Sequence, residues 1–187
     1  MNIFFLSISV HRCAKYHFDK HVVKMILEYC QLLSCAWHIL NPSQADILLS
    51  EGKIYKKTHI NHPCTMWVRK HINNYIYVAR LGLELCNEWR ARYGHARLHA
   101  SENKLLFQLN NPPPNIPNFK ITQTLSNPKG FLLPMPQAMP EECKIHKNNV
   151  YSCVLAYRKY YMSNSKKHLV SWNREKVPLN PPLWWKI

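Results

Sequence analysis

HFDKHVVKMILE, residues 17–28, places two histidines, two lysines, an aspartate and a glutamate in twelve consecutive positions. At about 100° per residue, His17, Lys20, His21, Lys24 and Glu28 fall within roughly one third of a helix circumference. Gln31 and His38 extend that stripe, while Val22, Met25, Ile26, Tyr29 and Leu33 take the opposite side. The spacing predicts one amphipathic helix from about residue 13 to 40, stopped by Asn41-Pro42. Asp19 is the odd member. It projects toward the apolar side, near Ile26 and Cys30, so its carboxylate calls for a buried partner or a capping role.

Working outward, Asn41 to about Tyr55 reads as a loop. THINHP, residues 58–63, reads as a turn, because Pro63 forces His62 out of helical geometry. From Pro63 onward Met66, Val68, Ile72, Ile76, Ala79, Leu83 and Cys86 recur at helical spacing, and Gly94 is a fitting C-terminal stop. A third helix is expected over 100–109 and a fourth over 149–162, the latter turning Val150, Cys153, Val154, Ala156 and Tyr157 inward. Residues 110–140 are rich in proline, yet Phe119, Phe131, Leu132 and Leu133 give them something to bury, so an ordered wrapping loop is expected. The tail, 163–187, carries Trp172, Trp184 and Trp185 and should pack on the body. MNIFFLSISV, residues 1–10, reads as a first strand or a buried N-terminal segment. The fold class that follows is mainly α: a compact helical domain spanning 1–187, with a short apolar N-terminal segment and a long proline-rich wrapping loop.

Composition bounds the partners. With 187 residues, 47% of them hydrophobic, the chain can fill a real core and is not a disordered segment. Lysine and arginine number 25 against 10 acids, a net charge of +15. Such an imbalance argues about partners rather than fold. The basic residues are interleaved with aromatics along the whole chain, which suits a surface that tracks phosphates and stacks bases, so nucleic acid, DNA first, is the expected partner. No apolar run approaches the ~20 residues that a membrane span needs. The seven cysteines are odd in number, form no CxxC and follow no signal peptide, which points to a reduced, intracellular protein with its thiols in the core.

Metal chemistry is tested by His17 and His21, which stand at i and i+4, a spacing that lets two imidazoles share a zinc ion on a helix. The segment is HxDKH rather than HExxH, and Lys20 beside it repels a cation, so neither a metal nor another cofactor is expected. Four glycines do not supply a Gly-rich phosphate loop. The zinc deaminase signature also fails, since Pro63-Cys64 runs on into Thr65, Met66 and Trp67. General acid–base work must draw on few acids, and Asp19 and Glu28 are the ones in the histidine-rich helix. The catalytic candidates are therefore His17, Asp19, His21 and Glu28. Candidates for nucleic-acid contact are Lys20 and Lys24 on the same face, His62, Arg69 and Tyr75 on the second helical stretch, and Gln137 in the loop. A plain structural reading competes: a surface ion pair of Glu28 with Lys24 one turn earlier, and a buried partner for Asp19.

Several stretches taken together (MNIF at the start, HxDKHVVKMILE, THxNHPC with a following tryptophan, NPP, QAMP and YRKYY) resemble an uncharacterised family of small proteins from phages and large DNA viruses. That resemblance spans nearly the whole chain. Where that family carries acids and a proline after its first segment, this sequence has Ser7, Ser9 and Val10. More distantly, the layout is similar to the phage pyrimidine-dimer DNA glycosylases, through Ala14-x-x-His17 at the start of the first long helix and the histidine- and proline-containing turn that introduces the second. The resemblance implies a compact, basic, all-helical enzyme that kinks DNA and flips a base. It also implies a reaction in which the N-terminal amine attacks the sugar C1′ and a glutamate of the first helix serves the lyase step. α-Amines titrate near 8 and are partly neutral at pH 7, so they can act as nucleophiles. Asn2 disfavours removal of Met1, so the amine would be that of Met1. The family's glutamate position, seven residues beyond the histidine, is Lys24, with Glu28 one turn further along the same face. The function expected is thus a basic, helical, DNA-binding enzyme acting on a base or its glycosidic bond. A non-catalytic viral DNA- or RNA-binding accessory protein and an enzyme of free nucleotides are the alternatives.

Overall fold

In the computed structural model, residues 1–123, 131–147, 149–173 and 180–185 are described. Seven α-helices follow one another: α1 (Val10–Tyr16), α2 (Asp19–Leu40), α3 (Pro42–Ser50), α4 (Pro63–Arg69), α5 (Ile72–Tyr93), α6 (Glu102–Asn110) and α7 (Val150–Met162). Single 3₁₀ turns cover Glu141–Cys143 and Lys167–Leu169, and among the described residues there is no strand. The mainly α expectation holds. The N-terminal stretch is the buried segment rather than a strand: Ile3, Phe4, Phe5 and Leu6 thread into the core.

The helix expected over 13–40 is divided. His17 ends α1 and Phe18 begins α2, both with extended backbone (ψ 137° and 152°). Tertiary contacts outweigh helical continuity here. The Asp19 amide donates to the Ser171 carbonyl at 2.9 Å, so the tail occupies the place that the preceding turn would fill. The break also swings His17 out of the stripe that ideal periodicity gives it.

The helix expected from Pro63 onward is divided as well, at Lys70-His71. His71 caps α5, its Nδ1 accepting from the Asn73 amide at 3.1 Å and its Nε2 lying 2.8 Å from the Phe119 carbonyl. The Ile72 amide donates to the Pro117 carbonyl at 2.9 Å, so the wrapping loop docks in the break. Gly94 closes α5 with φ 65°, the left-handed conformation that glycine adopts without steric cost.

A third correction concerns residues 41–55. They contain α3, opened by Pro42 at its first turn, where a missing N–H costs nothing. Ala45 and Leu48 of α3 pack with Trp37 and Ile54 into a small satellite core. With so few inward apolar positions, the helical period is too short to stand out in the sequence.

The main core lies between α2 and α5, which carry its largest helix-to-helix contact, with α1, α4, α6 and α7 around them. Trp172 of the tail is buried in it, and Trp184 and Trp185 pack against it. All seven cysteines are free and buried. No helix of the described residues is long and apolar enough to cross a membrane.

Candidate functional site

The segment that threads the core is held by a polar chain. The Phe4 amide donates to Tyr29 Oη at 3.3 Å, and Tyr29 Oη lies 3.0 Å from His17 Nε2. His17 Nδ1 is 2.7 Å from the Cys13 carbonyl. A carbonyl only accepts, so Nδ1 carries the proton and Nε2 accepts from the tyrosine. Burial lowers the His17 pKa to about 3, against the opposing pull of the Cys13 carbonyl. His17 is thus a neutral, fully enclosed link between α1, α2 and the N-terminal segment.

This anchoring leaves Met1 at the wall of a cavity of about 180 Å³ between α2, α7 and the 3₁₀ turn after it. His21, Lys24 and Glu28 line it from α2, and Tyr160 and Lys166 from the far end of the chain. The Met1 α-amine lies 4.0 Å from Glu28 Oε2, and the Asn2 amide donates to the same oxygen at 3.4 Å. Lys24 Nζ stands 3.4 Å from Glu28 Oε1. Glu28 is half-buried at the wall and is therefore more than a solvated ion-pair partner.

His21 stacks on Phe4, with ring centroids 4.2 Å apart, and its Nδ1 meets Tyr161 Oη at 2.6 Å. Its pKa is lowered to about 3, chiefly by burial and then by His17, Lys166 and Lys24. It is a neutral ring at physiological pH. Lys166 Nζ rides over the Tyr160 and Phe4 rings at 4.9 and 5.4 Å. The cavity therefore has a mainly polar wall, with Phe4, His21 and Tyr160 as its rings, one carboxylate and three amino groups, those of Met1, Lys24 and Lys166.

Asp19 lies elsewhere. Its carboxylate takes a hydrogen bond from Arg92 Nη1 at 2.9 Å, from the Ser171 hydroxyl at 2.6 Å and from the Asn173 amide at 2.9 Å. The same guanidinium binds Glu88 at 3.0 Å and the carbonyls of Lys15 and His17. This cluster ties α1, α2, α5 and the tail together. Removing one partner of a buried charge pair strands the other. With Glu88 still in place, Asp19→Ala is expected to cost about 3 kcal/mol, read as a fall in the denaturation midpoint. A variant as stable as the parent would show that the cluster does not hold the tail.

The remaining sequence candidates separate. Lys20 is exposed on the first turn of α2 and is not a wall of the cavity. His62 caps α4, accepting from the Cys64 amide at 3.2 Å; burial lowers its pKa, with smaller contributions from the N-terminus and His59 and an opposing one from Glu28. Arg69 Nη1 donates to the Ile60 carbonyl at 2.7 Å and so braces the 58–62 turn. Gln137 clamps the Ile145 backbone through both ends of its amide, each at 2.7 Å. Tyr75 is wholly buried, which corrects its placement among surface contacts. The residues that sequence reasoning did not single out are Asn2, Phe4, Tyr160, Lys166 and Arg92. YRKYY stood out as a motif, but nothing in its spacing says that α7 lies against α2. Among the described residues, no three His, Cys, Asp or Glu side chains come together as metal ligands would.

Residues 1–101 match the model of a family described as pyrimidine dimer DNA glycosylase. No curated protein and no solved structure matches the chain. The matched residues contain Met1, His21, Lys24 and Glu28; Tyr160 and Lys166 lie beyond them.

Proposed function

Because the chain belongs to the pyrimidine dimer DNA glycosylase family, we propose that it cleaves the glycosidic bond of a pyrimidine within a dimer in DNA, with the Met1 α-amine as nucleophile and Glu28 as the acid–base group beside it. The observation that carries this reading is the Met1 amine 4.0 Å from Glu28 Oε2 at a cavity. In the reaction the neutral amine attacks the sugar C1′, the C1′–N bond breaks and its electron pair leaves with the base. The sugar ring then opens to a protonated imine. Of the two amine protons and one drawn from solvent, one remains on the imine nitrogen, one goes to O4′ and one to the base. Glu28 is placed to carry these protons and then to take a proton from C2′ in strand cleavage.

Lys24 and Lys166 frame the cavity with positive charge suited to the phosphates beside the reacting sugar. Lys20 and Arg69 are further groups for phosphate contact, and His62, whose pKa burial lowers, would meet DNA as a neutral ring. His21, neutral and stacked, shapes the wall and supplies a hydrogen bond rather than a charge. His17 and Asp19 support the architecture, and Gln137 fixes the loop.

The test is borohydride reduction during reaction with duplex DNA carrying a pyrimidine dimer. The expected product is a covalent protein–DNA adduct whose attachment maps to the Met1 peptide. No adduct with any damaged or undamaged DNA, or an adduct on a lysine side chain, would sink the amine mechanism.

A further inference from the structure

Asn2 gathers more partners than a residue next to a chain terminus usually does. Its Nδ2 donates to the Ala138 carbonyl at 2.8 Å. Its Oδ1 accepts from the Ile3 amide at 2.8 Å and from Tyr157 Oη at 2.9 Å, with Cys64 Sγ at 3.5 Å. Tyr157 is wholly buried, and its hydroxyl also lies 2.8 Å from the Pro136 carbonyl. Both Tyr157 and Ala138 lie beyond the residues that the family match covers.

We propose that Asn2 and Tyr157 are positioning residues for the Met1 α-amine, supplied in part by the second half of the chain. The inference rests on the reading of that amine as the nucleophile. Terminal residues fray unless they are tied down. Here both ends of the Asn2 amide are tied, and its backbone N–H is held on Glu28 at 3.4 Å. Only the torsions between Asn2 and the amine remain to place the nitrogen. Attack at a sugar carbon needs the reacting atoms about 3–3.5 Å apart and aligned, and a misplacement of about 1 Å can cost about 10²-fold in rate. The one Tyr157 hydroxyl proton is shared between Asn2 Oδ1 and the Pro136 carbonyl, and Asn2 Nδ2 donates directly to the Ala138 carbonyl, so the loop sets the nucleophile's position without touching substrate.

Tyr157→Phe removes that hydroxyl and keeps the ring. The single-turnover rate of adduct formation at saturating dimer-containing DNA is expected to fall about 10- to 100-fold, with the DNA dissociation constant unchanged. Tyr77→Phe is the control. It loses an equally buried hydroxyl, bonded to the Ser7 carbonyl at 2.6 Å, and is expected to keep the parent rate. All rates are compared below each variant's melting transition; should Tyr157→Phe not fold, Asn2→Leu, which removes both side-chain bonds and is large enough to keep Met1, carries the same expectation. An unchanged rate in a folded Tyr157→Phe or Asn2→Leu protein, with Met1 verified by intact mass and amine blocking still abolishing the adduct, overturns the positioning role and leaves the amine reading standing. A rate equally reduced in Tyr77→Phe overturns it too, since the effect would then be general loosening. If blocking the amine leaves the adduct intact, the amine reading falls and the positioning role falls with it.

Discussion

Acetylating the Met1 α-amine is expected to abolish the borohydride-trapped adduct and glycosidic-bond cleavage while leaving DNA affinity close to that of the parent. An acetylated nitrogen has its lone pair delocalised into the amide and is no longer a nucleophile. The cavity keeps Lys24, Lys166 and Glu28, so the groups proposed to meet phosphate and to move protons are unchanged. On the proposed function, affinity for DNA would be spread over many basic side chains, so losing one charge from +15 should change it little. The expected loss is the whole covalent contribution to glycosidic-bond cleavage. Placing one extra residue ahead of Met1 tests the same point sterically, since the new amine would lie about 3.8 Å further along the chain. Glycosidic-bond cleavage at the parent rate by a fully acetylated protein, verified by intact mass, would remove the amine from the mechanism.

Glu28→Gln should show the second largest effect, and of a different kind. Glutamine keeps the shape and the acceptor toward the Asn2 amide but carries no charge and takes up no proton. General acid–base roles are worth roughly 10²- to 10⁴-fold, and a loss of that size is expected in strand cleavage. The trapped adduct should form more slowly, since Glu28 is proposed to carry protons in imine formation as well, but should accumulate once formed, because the step that consumes the imine also slows. Stability should fall somewhat: the carboxylate gives up Lys24, an exposed partner worth about 0–1 kcal/mol, and also the Met1 amine, which is largely buried, so rates are compared per folded molecule. Strand cleavage per folded molecule equal to that of the parent would exclude Glu28 from proton transfer. The contrast with Asp19 separates the two carboxylates of α2, one expected to matter for rate and the other for folding.

That separation was only partly legible in the sequence. Periodicity placed Asp19 on the apolar side of the stripe, and its need for a partner followed from the cost of burying a carboxylate. It could not name Arg92, because 73 residues separate them and no local rule pairs them. The same periodicity grouped His17 with His21, Lys24 and Glu28, and failed at His17 because the tail's Ser171 carbonyl interrupts the helix. His21, Lys24 and Glu28 remained together because they share the unbroken part of α2. Their counterparts across the cavity, Tyr160 and Lys166, come from chain topology, which amphipathic spacing does not encode. Pro63 and Gly94 were readable because each acts on its own backbone. His71 was not, since its capping role depends on the Phe119 carbonyl of a distant loop.

The seven enclosed thiols make the protein its own gauge of opening. Cysteine reacts as the thiolate, and burial pushes the Cys30 thiol up to about 12 and those of Cys64 and Cys153 to about 11. A thiol reagent in neutral buffer therefore meets each sulfur only when its surroundings part. Cys13, Cys30, Cys35, Cys64, Cys86 and Cys153 sit one or two to a helix on α1, α2, α4, α5 and α7, and Cys143 lies in a 3₁₀ turn. Alkylation followed by peptide mapping thus reads out, helix by helix, which parts of the fold breathe independently and which open only together. Cys64, against Asn2, reports on the anchorage of the N-terminal segment.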